Sequence, residues 1–144
     1  IMSVMPQLIS RNKYIYSVED EFNGVVIKGK FYYKQFMFGR GAGGYPTGSA
    51  VLSDIMACHY NYKYEYKKLN AEVVPEYTDD FVFRIYLRYS SEEDRALFNF
   101  LKVRESYTSE SCSYVVGDVR LSDLYAIKDE IRKRNLFVAA YPED

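Results

Sequence analysis

The sequence predicts an α+β protein: a β-hairpin, a glycine loop and a helix, followed by a unit of strand, helix, two strands, helix and strand. Short aromatic and β-branched runs predict the strands, and apolar stripes at helical spacing between them predict the helices. The chain has 144 residues, of which 48% are hydrophobic and 27% charged. This is the composition of a globular protein, and the length suits one domain or two small ones.

The hairpin is predicted from residues 22–27 (FNGVVI) and 31–38 (FYYKQFMF), two runs rich in aromatic and β-branched side chains. Lys28, Gly29 and Lys30 separate them, and a short glycine-containing segment of this kind typically joins antiparallel strands. The first third of the chain is therefore predicted to contain two paired strands.

A glycine loop and a helix follow the hairpin. Gly39, Gly41 and Gly44 satisfy the pattern G-x-G-x-x-G, which lets a backbone approach a phosphate and directs helix N–H groups at an anion. Pro46 is favoured in a first helical turn, so we expect a helix over residues 46–58. A dinucleotide fingerprint also needs a parallel strand and an acidic residue about 20 positions on, and neither follows here. A flexible strand-to-helix turn is the alternative.

Residues 59–80 change in character and are the predicted linker. Tyrosines alternate with lysines there, and Pro75, Asp79 and Asp80 interrupt any regular element. Aromatic side chains between lysines can stack on single-stranded nucleic acid. Tyrosines that pack across an interface are the favoured interpretation.

The segment from 81 to 142 has the order of a ferredoxin-like fold, β-α-β-β-α-β. Residues 81–89 alternate as a half-buried strand, and Ser90 with Glu93 forms a capping-box signature. The following helical stripe consists of Ala96, Leu97, Phe100 and Leu101. An extended region over 106–119 follows, and Ser122 and Asp123 are predicted to cap a second helix. Its apolar positions are Leu124, Ile127 and Ile131, and residues 136–141 close the unit as a strand.

Charge and residue counts exclude several functions. The net charge is −1, and a dedicated nucleic-acid binder needs a basic field, so no nucleic-acid partner is expected. His59 is the only histidine, and Cys58 and Cys112 lie far apart. These residues predict no metal site, no disulfide framework and a reducing compartment. No apolar run is long enough for a membrane span, so we expect a cytoplasmic protein with no membrane partner.

The stretch MFGRGAGGYPTGSAVLSD, residues 37–54, resembles the end of the catalytic region of homoserine dehydrogenases. That family shows a hairpin followed by G-x-G-A-G-x-x-P-T-x-S-A-V-x-x-D, and the resemblance extends over about residues 4–58. Residues 81–142 are similar, less specifically, to the ACT domain that follows this catalytic region in many bacterial members.

The resemblance implies that Gly41 and Gly43 lie against an NADP or NAD cofactor. The intact enzyme would interconvert L-homoserine and L-aspartate 4-semialdehyde in threonine and methionine biosynthesis. The family's catalytic lysine and substrate-binding carboxylates lie upstream of the matching segment. We therefore expect no catalytic residue in this chain, and its start at Ile1 suggests a piece of a longer protein.

For the domains, the resemblance implies the end of a catalytic and nucleotide-binding core over 1–58, a linker over 59–80, and an ACT-like regulatory domain over 81–144. It also implies a homodimer and an amino-acid effector. Where the ACT family has a glycine near its effector, this chain has Ser90, Ser91, Glu92 and Glu93, which favours dimer packing over effector binding. The alternative is a stand-alone amino-acid-binding regulatory module without chemistry.

Overall fold

The computed structural model describes residues 1–62 and 76–141. A short 3₁₀ turn, Tyr14–Ser17, precedes the first strand. The strands are β1 (Phe22–Gly29), β2 (Tyr33–Arg40), β3 (Val82–Tyr89), β4 (Phe100–Thr108), β5 (Ser113–Arg120) and β6 (Phe137–Ala140). The helices are α1 (Gly44–His59), α2 (Glu92–Ala96), α3 (Leu121–Ala126) and α4 (Lys128–Lys133). Helices combined with antiparallel sheets confirm the predicted α+β class.

The chain divides into two compact units. The hairpin-helix unit is Ser10–Val74, and the C-terminal unit combines Ile1–Ile9 with Pro75–Asp144. Most of the predicted tyrosine-rich linker, residues 63–75, lies outside the described residues, as do residues 142–144.

In the hairpin-helix unit, β1 and β2 pair antiparallel from Phe22 opposite Arg40 to Gly29 opposite Tyr33. The hairpin prediction is confirmed, but the turn predicted at residues 28–30 is wrong, because residues 30–32 form the loop. Gly29 belongs to the strand, where a Cβ would collide with the Tyr32 ring. Phe31 is therefore a loop residue, 94% exposed, although its side chain is typical of strands.

The C-terminal unit contains a four-stranded sheet in the order β4-β5-β3-β6, with every neighbouring pair antiparallel. Its core forms where alternate residues of β3 and β5 meet the helices. The buried members are Ile85, Leu87, Tyr89, Phe98, Val115 and Val119. Leu97, Leu124, Ile127 and Ile131 pack against this cluster. The helices therefore lie against one face of the sheet.

The first residues of the chain belong to this C-terminal sheet. Leu8 N–H donates to the carbonyl of Ala140 at 2.9 Å, and Ala140 N–H donates to the carbonyl of Pro6 at 2.8 Å. Gln7 forms a parallel bridge with Ala140, and Met5 packs against the core. The sequence places residues 1–9 with the hairpin, whereas their backbone hydrogen bonds place them beside β6.

Three local predictions in the C-terminal unit are corrected by the structure. The cap of α2 is Ser91 rather than Ser90, because Ser91 Oγ accepts the N–H of Asp94 at 3.2 Å. The helix ends at Ala96, so Phe100 and Leu101 lie in β4, where Phe100 pairs with Val119. Arg120 occupies the N-cap position of α3, and the second predicted helix is divided at Ile127 into α3 and α4.

The extended region predicted over 106–119 is two strands, β4 and β5, joined after Thr108. Ser109 Oγ closes this connection by accepting the N–H of Cys112 at 3.1 Å. No helix in the described parts of the chain combines the length and the apolar character needed to cross a bilayer.

Candidate functional site

The candidate site is the glycine loop between β2 and α1, and Gly41 begins it. Gly41 N–H donates to the carbonyl of Glu21 at 3.0 Å, which ties the loop to the residue before β1. A Cβ on Gly41 would overlap the side-chain amide of Asn23. Asn23 stands opposite Gly39 in the hairpin, so the pairing of the two strands brings its amide to the loop. Gly41 is therefore required by packing within the unit.

Gly43 is the N-cap of α1 and has φ of +115° with ψ of 156°. Residues that carry a Cβ rarely adopt this backbone conformation, so the turn into the helix requires glycine at this position. The carbonyl of Gly43 accepts the first helical hydrogen bond, from Thr47 N–H at 3.1 Å. Gly43 has no side chain that could cap this end of the helix, so α1 is uncapped at its own N-cap residue.

The surface of the loop is open on both sides of Gly41 and Gly43. A Cβ added at Gly39 or at Gly44 would meet no atom within 4 Å. The first turn of α1 contains no acidic residue, so its positive end is not neutralised by a carboxylate of its own. The combination of open backbone and uncapped helix N–H groups suits an anionic group, such as a phosphate.

Arg40 is held at the edge of this loop. Its guanidinium lies 3.3 Å from a Glu21 carboxylate oxygen and 5.2 Å from the centre of the Phe22 ring. The Phe22 ring in turn stacks on Phe38 at 4.7 Å. These contacts connect the last residue of β2 to the first residue of β1, so the two ends of the hairpin are joined directly below the loop.

The structure brings together Gly41 and Gly43, the two residues that the sequence nominated for cofactor binding. Each has a reason within the unit to be glycine, namely the Asn23 side chain for Gly41 and the backbone conformation for Gly43. Cys58 and His59 lie at the far end of α1, about 20 Å along the helix axis from Gly44. Among residues 1–62 and 76–141, no group of three or more metal-ligating side chains converges.

Sequence reasoning assigned no role in the loop to Asn23 or Glu21. The signal was present in the hairpin, because counting back from the loop in antiparallel register places residue 23 opposite residue 39. The displaced turn prediction hid this signal, since a turn at 28–30 puts every cross-strand pair out of register.

The β3–α2 connection, where the resemblance expects an effector-binding glycine, is filled by side chains. Ser91 caps the helix, and Glu92 accepts the Tyr89 hydroxyl at 3.5 Å. Asp94, 8% exposed, accepts a hydrogen bond from Arg134 at 3.1 Å. That hydrogen bond lowers the pKa of Asp94 below its usual value.

In this α+β protein the hairpin leads through an open glycine loop into a helix whose N-cap residue has no side chain, an arrangement that suits an anionic group. Residues 1–56 match the family model of homoserine dehydrogenase. A homoserine dehydrogenase from Synechocystis is 40% identical over 55 residues, which cover 38% of this chain. The chain spans 13% of that relative's length. These comparisons support a homoserine dehydrogenase-related segment at the start of the chain.

Proposed function

We propose that this chain is part of an NAD(P)-dependent homoserine dehydrogenase, an oxidoreductase that interconverts L-homoserine and L-aspartate 4-semialdehyde. The observation that carries the proposal is the match over residues 1–56, which includes the whole glycine loop. In this proposal the intact enzyme would act in threonine and methionine biosynthesis. Hydride transfer itself would depend on catalytic residues outside this chain.

The glycine loop fits one side of a nicotinamide cofactor. Gly39 and Gly44 leave the loop surface open, and the uncapped end of α1 offers N–H groups and a positive dipole to an anionic part of the ligand. In this proposal Gly43 lies against the cofactor, and Gly41 holds the loop in place through Asn23 and Glu21. The bound cofactor would accept hydride in its oxidised form and donate it in its reduced form, and the loop would position it.

The test is a substitution of Gly43 by Val in the intact enzyme. A valine at φ of +115° would displace the backbone and cover the loop surface, so the apparent KM for the cofactor should rise at least about tenfold. Gly48→Ala is the control, because Gly48 lies inside α1, beyond the loop, where alanine fits a helical backbone and meets no other atom of this chain within 4 Å. An unchanged cofactor KM in Gly43→Val would remove the cofactor role.

We further propose that the C-terminal unit is a ferredoxin-like, ACT-like domain that packs in a homodimer. The chain order of strands and helices, with the sheet order β4-β5-β3-β6, supports this assignment. Ser91 in the β3–α2 connection, with Glu92 and Asp94 in the first turn of α2, places side chains where an effector would approach the backbone. They favour packing over effector binding.

The second candidate function is a stand-alone amino-acid-binding regulatory module. The self-contained core of the C-terminal unit is the observation in its favour. Calorimetric titration of the 144-residue chain with threonine, methionine and other amino acids of the aspartate family separates the two. Heat of binding supports a regulatory module, and no heat with any of these amino acids leaves a packing domain.

A further inference from the structure

The sheet of the C-terminal unit has a second face, opposite the helices, which we call the outer face. Alternation along β3 turns Ile85 and Leu87 toward the core, so Arg84, Tyr86 and Arg88 lie on the outer face. Cross-strand pairing extends this face to Asp118 on β5 and, through Asp118, to Lys102 on β4.

Positive charge is concentrated on the outer face. Residues 81–144 carry ten basic and eleven acidic side chains, and this near balance, like the net charge of the whole chain, predicts no nucleic-acid partner. The fold changes that expectation. The strands divide these charges unequally, because only alternate residues share a face. Among the described strand residues, the outer face has five cations: Arg84, Arg88, Lys102, Arg104 and Arg120. It has two carboxylates, Asp118 and Glu105.

Two of the arginines form ion pairs with Asp118. Arg84 Nε donates to Asp118 Oδ1 at 3.2 Å, and Arg104 donates to Oδ2 at 2.6 Å. Arg88, Lys102 and Arg120 make no ion pair with any residue that the structure describes. The outer face therefore presents a surplus of positive charge to a neighbouring molecule.

A row of four aromatic rings crosses the same face. Phe137 on β6 meets Tyr86 at 6.4 Å, Tyr86 meets Tyr114 at 5.2 Å, and Tyr114 stacks on Tyr107 at 5.6 Å between ring centroids. Glu105 accepts the Tyr114 hydroxyl at 2.5 Å and fixes the middle of the row. Because β4 is the edge strand, Tyr107 has a stacked neighbour on one side only and is 52% exposed.

We propose that the outer face binds single-stranded nucleic acid, with bases stacked against the Tyr107 end of the aromatic row and phosphates paired with Arg88, Lys102 and Arg120. Four-stranded sheets in RNA-recognition domains stack bases on aromatic side chains, and base–aromatic stacking tolerates any sequence. A second copy of this chain is the less suitable occupant, because a two-fold interface on this face would oppose two positive surfaces.

The test measures fluorescence anisotropy of a labelled 12-nucleotide single-stranded RNA, and of DNA of the same sequence, titrated with the 144-residue chain. We expect a Kd on the order of 10 µM at 50 mM salt, weakening as salt is raised. Arg88→Glu/Lys102→Glu should weaken binding at least about tenfold, because the surplus charge is reversed. Tyr107→Ala should weaken binding about fivefold or more, and Tyr107→Phe should retain it.

The matched control is Arg132→Glu/Lys133→Glu, which makes the same change in net charge on α4, on the helix side of the sheet. It should bind within about twofold of the unchanged chain if binding is local. Circular dichroism checks that each variant is folded.

Absence of binding at 50 mM salt would overturn the proposal, and so would equal weakening by the control pair. A Tyr107→Ala variant that binds as well as the unchanged chain would also overturn it, as would equally tight binding of a blunt duplex. Sedimentation that detects a dimer abolished by Arg88→Glu/Lys102→Glu would assign the face to a second copy instead.

Discussion

The two units of the chain differ in where they place their apolar side chains. The C-terminal unit buries Ile85, Leu87 and Val115 completely between sheet and helices. In the hairpin-helix unit, by contrast, no residue of α1 is buried, and Leu52 and Ile55 are 59% and 57% exposed. One unit has a core of its own, and among the described residues the helix of the other unit keeps apolar side chains exposed.

The difference shows that a segment can form regular strands and helices without burying a hydrophobic core of its own. The hairpin β1–β2 is a two-stranded sheet, and such sheets are marginal alone. Under the proposed function, the remainder of the catalytic region would cover α1 and pair with the hairpin edges. Expressed without it, the hairpin edges would be prone to pair with another copy.

The largest effect expected from this contrast is in the core. Leu87→Ala should lower the free energy of unfolding by about 3 kcal/mol, because the side chain is fully buried and leaves a cavity. Ile55→Ala on α1 should change it by less than about 0.5 kcal/mol. Urea unfolding followed by tyrosine fluorescence measures both. Equal losses in the two variants would mean that α1 is packed as firmly as the core.

A smaller effect concerns the ion pairs of the two units. Asp118 is 14% exposed and bound by Arg84 and Arg104, whereas the Glu21 and Arg40 side chains are 40% and 58% exposed. Asp118→Asn should cost about 1–2 kcal/mol of unfolding free energy at pH 7. Glu21→Gln should cost nearly nothing.

The Asp118 effect should also depend on pH. Its hydrogen bonds from Arg104 and Arg84 lower the pKa of Asp118 in the folded chain. The stabilisation is complete above the pKa of an aspartate in the unfolded chain, near 4. It is lost as pH falls through the lower pKa that Asp118 has in the folded chain. The difference between Asp118→Asn and the unchanged chain should therefore shrink below about pH 4. A constant difference down to pH 2 would contradict the assignment.

The smallest effect separates two neighbouring serines at the start of α2. Ser91→Ala removes the cap on Asp94 N–H and should cost about 1 kcal/mol. Ser90→Ala should cost a few tenths at most, since Ser90 Oγ only accepts Asn135 Nδ2 at 3.4 Å. Thermal unfolding of the two variants decides which serine is the cap, and a larger loss from Ser90→Ala would restore the sequence-based prediction.

Much of the fold could be predicted because strands and helices leave local patterns. The alternation of residues 81–89 predicts β3 within one residue. The boundary between α2 and β4 could not be predicted in this way, because the apolar residues at 96, 97, 100 and 101 also satisfy helical spacing. Pairing of Phe100 with Val119, 19 positions away, determines that this segment is a strand.

In the candidate site, too, some features could be predicted from neighbouring residues and others depend on tertiary contacts. The pattern around Gly41 and Gly43 predicted a loop ahead of a helix, because glycine spacing and Pro46 act on the adjacent backbone. The reason for Gly41 is the Asn23 side chain, which reaches the loop only through the hairpin register.

The sequence by itself determined the α+β class, the hairpin and the glycine loop that leads into α1. It also determined the resemblance of the first third of the chain to homoserine dehydrogenases. These features depend on side chains and backbone angles of neighbouring residues. Only the tertiary structure decided that residues 6–8 pair with β6 and that five cations share the outer face. Both depend on contacts between residues far apart in the chain, and no local pattern encodes which partners will meet.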